Sequence, residues 1–341
     1  MREEDPIMKQ DNRSTAFLDV LRWSATAMVV MLHVVSGVTA ILSAEMTSDQ
    51  RAVYYTAKAL MTAGVPVFLM ISGALLLNPE KQISVRKILT HYVRRILLAL
   101  LVFGTVFAVI ELYVTEKTFS LEIIGRGFLN TLSGKSWAHM WYLYELAGLY
   151  LATPLLRAVI RYGKKQLLQY GLILGFLFSS FIPFLEQLSG FDLGFTFPFS
   201  GIYLFYYVSG YYFLKYGRTS PRLTAAAAIL TIGVLTADMA FLKLFRVSYD
   251  SPLIVFLTVC LFLTAANSGV RVSWMSRHRE LCFGIYLLHP VFLNLFYKFL
   301  GITPLAFGYG GIFLFWAAAF LLSCLGSWIM QKIPILKKYV V

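Results

Sequence analysis

The sequence predicts an all-α, polytopic membrane protein: a bundle of about ten transmembrane helices with both termini in the cytoplasm. Hydrophobic residues make up 58% of the 341 residues and charged residues only 14%, a composition that excludes an ordinary soluble domain. Apolar stretches long enough to cross a bilayer recur along the whole chain. We predict spans at residues 17–42, 53–77, 93–114, 138–156, 167–185, 198–214, 223–243, 251–269, 281–299 and 310–330.

The basic residues predict the orientation of these spans. With ten spans, 22 of the 30 Lys and Arg residues fall on the side that carries the N-terminus. Because short cytoplasmic loops are enriched in Lys and Arg, this distribution places both termini in the cytoplasm. The net charge of +13 is therefore mostly a topology signal, and we expect membrane lipid rather than nucleic acid as a partner.

The chain is predicted to form one membrane domain, residues 17–330, between a cytoplasmic N-terminal tail (1–16) and a cytoplasmic C-terminal tail (331–341). The first apolar stretch is too long for a cleaved signal peptide and follows an acidic, polar tail. Residues 115–137 are the longest outside connection, and their polar and glycine residues predict a loop that contacts a hydrophilic substrate. The three cysteines have no paired spacing, so we predict neither disulfides nor a metal site.

The first span contains two ionisable residues, Arg22 and His33, whose burial in the hydrocarbon layer costs free energy. Their separation of eleven residues returns to nearly the same helix face, about 16 Å further along the axis. Asp19, three residues before Arg22, can pair with it and lower the cost of its burial. Arg22 could then be only an anchor at the membrane surface, and His33 a packing residue. Ionisable groups inside a membrane are more often functional, which favours a buried polar site.

Other spans bring polar residues to compatible depths. His139 is expected at the outer boundary of the fourth span, and Glu145 lies about 9 to 10 Å deeper, where it could orient or recharge a catalytic histidine. His289, followed by a helix-disrupting proline, lies about 12 Å inside the ninth span. The neighbouring aromatic residues are either substrate contacts or packing residues of the membrane interface: Trp141, Tyr142 and Tyr286.

The densest basic cluster on the predicted cytoplasmic side includes Arg86, Arg94 and Arg95. Arginine side chains bind phosphate groups through paired hydrogen bonds, so this cluster could hold the phosphates of a nucleotide-containing donor. Membrane anchoring is the alternative interpretation. No Walker-type loop or G-x-G-x-x-G motif is present, so side chains and helix ends would have to hold such a ligand.

Several segments, in order, resemble the acyltransferase-3 family of membrane enzymes. Arg22, ten intervening residues and His33 resemble the family's arginine-x10-histidine signature. Further similar segments are residues 65–73 (VPVFLMISG), 139–143 (HMWYL) with 150–151 (YL) and 154–155 (PL), 205–211 (FYYVSGY) and 283–289 (FGIYLLH). The resemblance covers residues 17–330. Without a fused domain, the chain is most similar to stand-alone members such as the O-acetyltransferase of enterobacterial common antigen.

That resemblance implies acyl transfer, usually of acetyl, from cytoplasmic acyl-CoA to a hydroxyl of an extracytoplasmic or lipid-linked carbohydrate. His33 matches the catalytic histidine, Arg22 its paired arginine and His289 the late histidine. Arg94 and Arg95 both fit the family's third-span arginine motif, and Ser72 would lie where a pantetheine arm passes. His33 would be a general base for the attacking hydroxyl, with a covalent acyl-histidine as the second route.

A transporter of a small polar solute, such as an amino acid, is the alternative function. Buried His, Arg and Glu residues also suit a proton-coupled carrier. A clear inverted repeat, or spans broken by Gly or Pro at matching positions, would favour transport, and the sequence has neither. CoA release that requires an acceptor would indicate the enzyme, and solute accumulation without acyl-CoA the carrier. The sequence carries no signal for an oligomeric state.

Overall fold

The computed structural model describes residues 15–242 and 244–339, which are almost entirely helical and contain no strand. Most of the predicted N-terminal tail lies outside the described residues. We number the principal helices α1 (Ala16–Leu42), α2 (Ser48–Leu76), α3 (Val85–Glu116), α4 (Leu121–Leu132), α5 (Ala138–Tyr162), α6 (Lys165–Ser189), α7 (Ile202–Tyr216), α8 (Pro221–Leu242), α9 (Pro252–Ser268), α10 (Leu281–Phe299) and α11 (Gly310–Met330). Shorter helical segments are Ser273–Arg277, Pro304–Phe307 and Pro334–Tyr339.

The predicted all-α membrane bundle is confirmed. Eight of these helices are long and apolar enough to cross a membrane, and each coincides with a predicted span. The other two predicted spans, 198–214 and 251–269, contain α7 and α9, which have only 15 and 17 residues. At 1.5 Å per residue these helices are about 22 and 25 Å long, shorter than the ~30 Å hydrocarbon layer. Helix α7 starts late because residues 190–201 form no helix.

The prediction that residues 115–137 form a loop is wrong, because these residues contain the helix α4. Its Ile123, Gly127 and Thr131 are buried and lie four residues apart on one face. A Cβ at Gly127 would come within 2.5 Å of the Val109 side chain of α3, so the two helices are in close contact there. One of the glycines that suggested a loop, Gly127, instead allows α4 to pack against α3.

Both ends of the described chain lie at one face of the bundle, which we call the terminal face. The Trp316 indole of α11 donates to the Ala27 carbonyl of α1, at 3.0 Å. Further along, the Phe320 ring lies 6.2 Å from that of Trp23. Residue numbers therefore rise along α11 as they fall along α1. The start of α1 and the end of α11 are thus at the same end of the bundle.

Glycines from the family-like segments bring helices into backbone contact. A Cβ at Gly73 of α2 would lie 1.7 Å from the Tyr207 carbonyl oxygen, and one at Gly210 of α7 would lie 1.9 Å from that of Met70. The short α7 is therefore held directly against α2. Gly284 plays a similar part between α10 and α11, where an added Cβ would meet the side chain of Ser327.

Candidate active site

Helix α1 places Arg22 near the terminal face and His33 three turns deeper. The predicted pair with Asp19 is confirmed: Arg22 Nη1 donates to Asp19 Oδ1 at 2.7 Å. Arg279, just before α10, lies 3.9 Å from the other oxygen of the same carboxylate. Asp19 is buried, so its charge is balanced by the two guanidinium groups beside it.

Three histidine rings from different parts of the chain meet in the interior, and we call them the histidine cluster: His33, His139 and His289. The centroids of the His33 and His289 rings are 4.7 Å apart. Those of His139 lie 6.3 Å from His33 and 5.7 Å from His289. His139 and His289 are buried and His33 is half-buried, so His33 is the most accessible of the three.

The structure corrects the expected position of His139, which is in the interior and not at the outer boundary. A 3-10 turn, Ala138–Met140, begins α5 and directs the ring inward. There it lies 5.5 Å from the Phe107 ring and 5.6 Å from that of Tyr286. The Tyr286 hydroxyl donates to the backbone carbonyl of His139 at 2.6 Å, which fixes the turn against α10.

Backbone hydrogen bonds set the roles of the ring nitrogens. His33 Nδ1 lies 2.9 Å from the Val29 carbonyl oxygen, and His289 Nδ1 lies 3.1 Å from that of Ile285. A carbonyl only accepts, so Nδ1 carries the hydrogen in both rings and, in a neutral imidazole, Nε2 keeps its lone pair. Nε2 of His139 and of His289 is buried and has no hydrogen-bond partner in the described part of the chain. Buried polar atoms are usually paired, so these two nitrogens are exceptions among the described residues.

A cavity of about 480 Å³ leads from the terminal face toward the histidine cluster, and we call it the basic cavity. Four cationic side chains line it: Arg22, Lys81, Arg95 and Arg279. Ser72, Tyr92 and Tyr150 lie on its wall, and Tyr142 and Tyr286 also line it. Because the Tyr286 ring is 6.2 Å from that of His289, the cavity and the histidine cluster are one aromatic layer apart.

Of the three arginines predicted to bind the phosphates of the donor, only one lines the basic cavity. Arg95 lines it, with its guanidinium 5.4 Å from the centre of the Phe283 ring. Arg94 and Arg86 are exposed and do not line it. Successive helix residues point about 100° apart, so Arg94 and Arg95 extend in different directions from α3.

The prediction that Glu145 serves a histidine finds no support among the described contacts. Glu145 lies within electrostatic range of Tyr203, near the Trp141 ring, which is 5.2 Å from that of Tyr203. Six residues of helix rotate Glu145 by about 240° from His139, onto another face of α5. Trp141 shares this side of the helix and does not line the basic cavity.

The sequence analysis missed three further groups at the basic cavity. Arg279 and Lys81 were counted only as topology signals, and Tyr150 only as part of a motif. Tyr150 and Ser72 both line the cavity wall. Burial and the nearby Arg157 both lower the pKa of Lys81. The depth of a basic residue at a helix end cannot be read from loop counts, which explains the omission.

A buried arginine holds the loop that carries Lys81. Arg157 Nη1 donates to the carbonyls of Leu76 and Asn78, at 2.6 and 2.8 Å, and its Nη2 donates to the Lys81 carbonyl. Carbonyls at the end of α2 have no helical partners of their own, and Arg157 supplies the missing donors. The rim of the basic cavity is thereby fixed to α5.

Among the described residues, no group of three or more His, Cys, Asp or Glu side chains is arranged to hold a metal ion. A family model described as an acyltransferase domain, Acyl_transf_3, matches residues 15–332 of the chain. No curated protein and no solved structure matches it. The family match includes both the basic cavity and the histidine cluster.

Proposed function

Because the chain belongs to the acyltransferase-3 family and is a multi-pass membrane acyltransferase, we propose that it transfers an acetyl group from cytoplasmic acetyl-CoA to a hydroxyl of an extracytoplasmic or lipid-linked carbohydrate. The observation that carries the proposal is the basic cavity, which opens near the terminal face and ends one aromatic layer from three histidines. The donor and the acceptor would approach this layer from opposite faces.

The donor half of the proposal is supported by the charge of the cavity. Coenzyme A carries a diphosphate and a further phosphate, and clustered guanidinium groups bind phosphates in strong, paired hydrogen bonds. Arg22, Arg95 and Arg279 would neutralise these groups near the terminal face. Ser72 and the tyrosines would line the path of the uncharged pantetheine arm. The predicted orientation makes the terminal face cytoplasmic, the side on which acyl-CoA is made.

The acceptor half of the proposal gives His33 the role of general base. Its Nε2 accepts the proton of the sugar hydroxyl as the oxygen attacks the thioester carbonyl. The tetrahedral intermediate then breaks its carbon–sulfur bond, and the departing thiolate takes the proton from His33. The products are the sugar ester and free CoA. With the tautomer described above, His289 would accept a hydrogen bond from the acceptor sugar and would not serve as an oxyanion donor.

Substitution of His33 tests this function directly. Membranes that contain the His33→Ala variant, supplied with labelled acetyl-CoA and acceptor, should lose acetyl transfer while the protein is inserted at normal levels. His278→Ala, at an exposed histidine outside the basic cavity, is the matched control and should retain activity. Undiminished transfer by His33→Ala would refute the general-base role.

Two further measurements separate the remaining alternatives. Rapid quenching without acceptor should trap no acyl-protein if transfer is direct, whereas a labelled His33 would indicate the acyl-histidine route. Proteoliposomes without acyl-CoA should not accumulate a labelled solute such as serine. The stand-alone O-acetyltransferase of enterobacterial common antigen is the type we propose for the chain, and mass spectrometry of surface glycans with and without the gene would test it.

A further inference from the structure

A second cavity lies at the face opposite the terminal face. None of the residues in the proposed mechanism lines it. Its volume is about 570 Å³, which is within the range of pockets that hold small ligands. Helix α6, the start of α7 and the segment before α9 border it, and it is open to the surface. The lining residues that carry polar or aromatic groups toward a ligand are Ser179, Tyr203, Tyr249 and Asp250. We call it the opposite-face cavity.

One side of the opposite-face cavity is aromatic. The rings of Tyr203 and Tyr249 lie 6.0 Å apart, and Trp141 of α5 supports both of them at 5.2 and 5.4 Å. The Tyr206 hydroxyl donates to the Tyr249 backbone carbonyl at 2.7 Å, which holds the segment before α9 in place. These contacts form a fixed aromatic surface, suited to the apolar C–H face of a sugar ring.

The opposite-face cavity also has groups that bind hydroxyls. Asp250 lines the cavity, and its carboxylate lies within electrostatic range of Tyr203. The Ser179 Oγ is buried and has no hydrogen-bond partner in the described residues. A buried hydroxyl without a partner is unusual and costly. A ligand with several hydroxyl groups would donate to the Asp250 carboxylate, and a rotation about the Cα–Cβ bond of Ser179 would bring its hydroxyl to the same ligand.

The opposite-face cavity is near the histidine cluster but separate from it. Tyr249 lies within electrostatic range of Tyr286, whose ring is 5.6 Å from that of His139. Trp141 follows His139 by two residues at the start of α5. The cavity is thus one or two aromatic layers to the side of the reacting groups. A sugar bound there would be a neighbour of the sugar that reacts at His33.

We propose that the opposite-face cavity is an acceptor subsite that binds a sugar residue next to the acetylated one, through Tyr203, Ser179 and Asp250. This inference rests on the proposed function and deepens it, because it makes the acceptor a chain of at least two sugars. A single sugar would reach the histidine cluster without occupying this subsite. Recognition of the second sugar would then appear in the KM for the acceptor and not in the chemical step.

The test uses full-length protein in proteoliposomes with labelled acetyl-CoA. The acceptors are alkali-deacetylated surface glycan from cells that carry the gene, and the methyl glycoside of the single sugar acetylated in it. Asp250→Asn and Ser179→Ala should each raise the KM for the glycan about tenfold or more. The kcat, and the KM for acetyl-CoA, should stay within twofold. With the methyl glycoside, both variants should match the wild type.

Matched variants keep this test interpretable. Tyr203→Phe preserves the aromatic surface, and a smaller rise in the glycan KM with normal folding would support the subsite. Asp192→Asn, at an exposed carboxylate of the same face that does not line the cavity, should leave the glycan KM unchanged. An unchanged glycan KM in both Asp250→Asn and Ser179→Ala would overturn the proposal, while the His33→Ala result would still decide the proposed function.

A binding measurement distinguishes failure of the subsite from failure of the proposed function. Fluorescently labelled fragments of the same glycan should bind the detergent-purified wild type and bind Asp250→Asn at least about tenfold more weakly. Binding that depends on Asp250 without any acetyl transfer would retain the subsite and refute the transferase. Equal binding by wild type and Asp250→Asn would refute the subsite whatever the activity.

Discussion

The imidazole rings of His33 and His289 lie 4.7 Å apart, edge to face, and each donates its Nδ1 hydrogen to a carbonyl one turn back in its own helix. The two hydrogen bonds direct both Nε2 lone pairs away from the backbone. His33 is the more accessible ring, whereas His289 is fully buried. In the proposed mechanism, the more accessible His33 is the reacting imidazole and the buried His289 supports it.

We expect His289→Leu to lower the kcat for acetyl transfer by about 10- to 100-fold, as for the loss of one hydrogen bond to the reacting sugar. His289 does not line the basic cavity, so the KM for acetyl-CoA should stay within about twofold. Initial rates over a range of acetyl-CoA concentrations would measure both constants. A kcat near that of the wild type would show that His289 only fills space.

Adjacent arginines provide a matched pair for the donor site. Arg95→Gln should raise the KM for acetyl-CoA about tenfold or more, because it removes a charged donor from the wall of the basic cavity. Arg94→Gln removes the same charge from an exposed neighbouring position and should change this KM less than about twofold. Equal effects of the two variants would mean that only the summed surface charge attracts the donor.

The sequence predicted the bundle well because apolar length is a direct requirement of the bilayer. The sequence-based prediction failed where contacts between distant segments determine which residues form a helix. Helix α7 is short because residues 190–201 form no helix, and the helix α4 packs against α3 through close contact at Gly127. Composition alone cannot distinguish a glycine that loosens a loop from one that permits close helix packing.

The candidate site could be predicted only in part, because composition does not show how helices pack. Arg22 and His33 share one helix, so their relation followed from helix geometry alone. The inward position of His139 depends on a 3-10 turn, and the difference between Arg94 and Arg95 depends on helix rotation relative to neighbours. Glu145 was placed by depth without regard to its face. Depth can be read from sequence, but the direction of a side chain in a bundle requires the packing partners.

Glycine packing between α2 and α7 should control stability. Gly210→Ala would place a Cβ 1.9 Å from the Met70 carbonyl oxygen, and relief of that contact requires the helices to separate. We expect a loss of about 1–3 kcal/mol or more, seen as a lower Tm of the detergent-purified protein. Gly233→Ala, in α8, meets no atom within 4 Å and should be neutral or stabilising by up to about 1 kcal/mol. Equal Tm values for the two variants would contradict direct backbone contact at Gly210.

The hydrogen bonds of Arg157 should link stability to donor binding. Arg157→Lys keeps the charge but cannot reach the carbonyls of Leu76, Asn78 and Lys81 together, because an ammonium group lacks the planar fork of a guanidinium. We expect a loss of about 2 kcal/mol of stability from the lost hydrogen bonds.

The same substitution should also raise the KM for acetyl-CoA, because the loop that presents Lys81 to the basic cavity is no longer fixed. Arg161→Lys is the control: Arg161 is exposed and makes one long contact, 3.5 Å, to the Pro79 carbonyl. Thermal unfolding and acetyl-CoA kinetics on both variants would test this link. A lower Tm for Arg157→Lys with an unchanged KM would show that Arg157 stabilises the end of α2 without positioning the rim of the cavity.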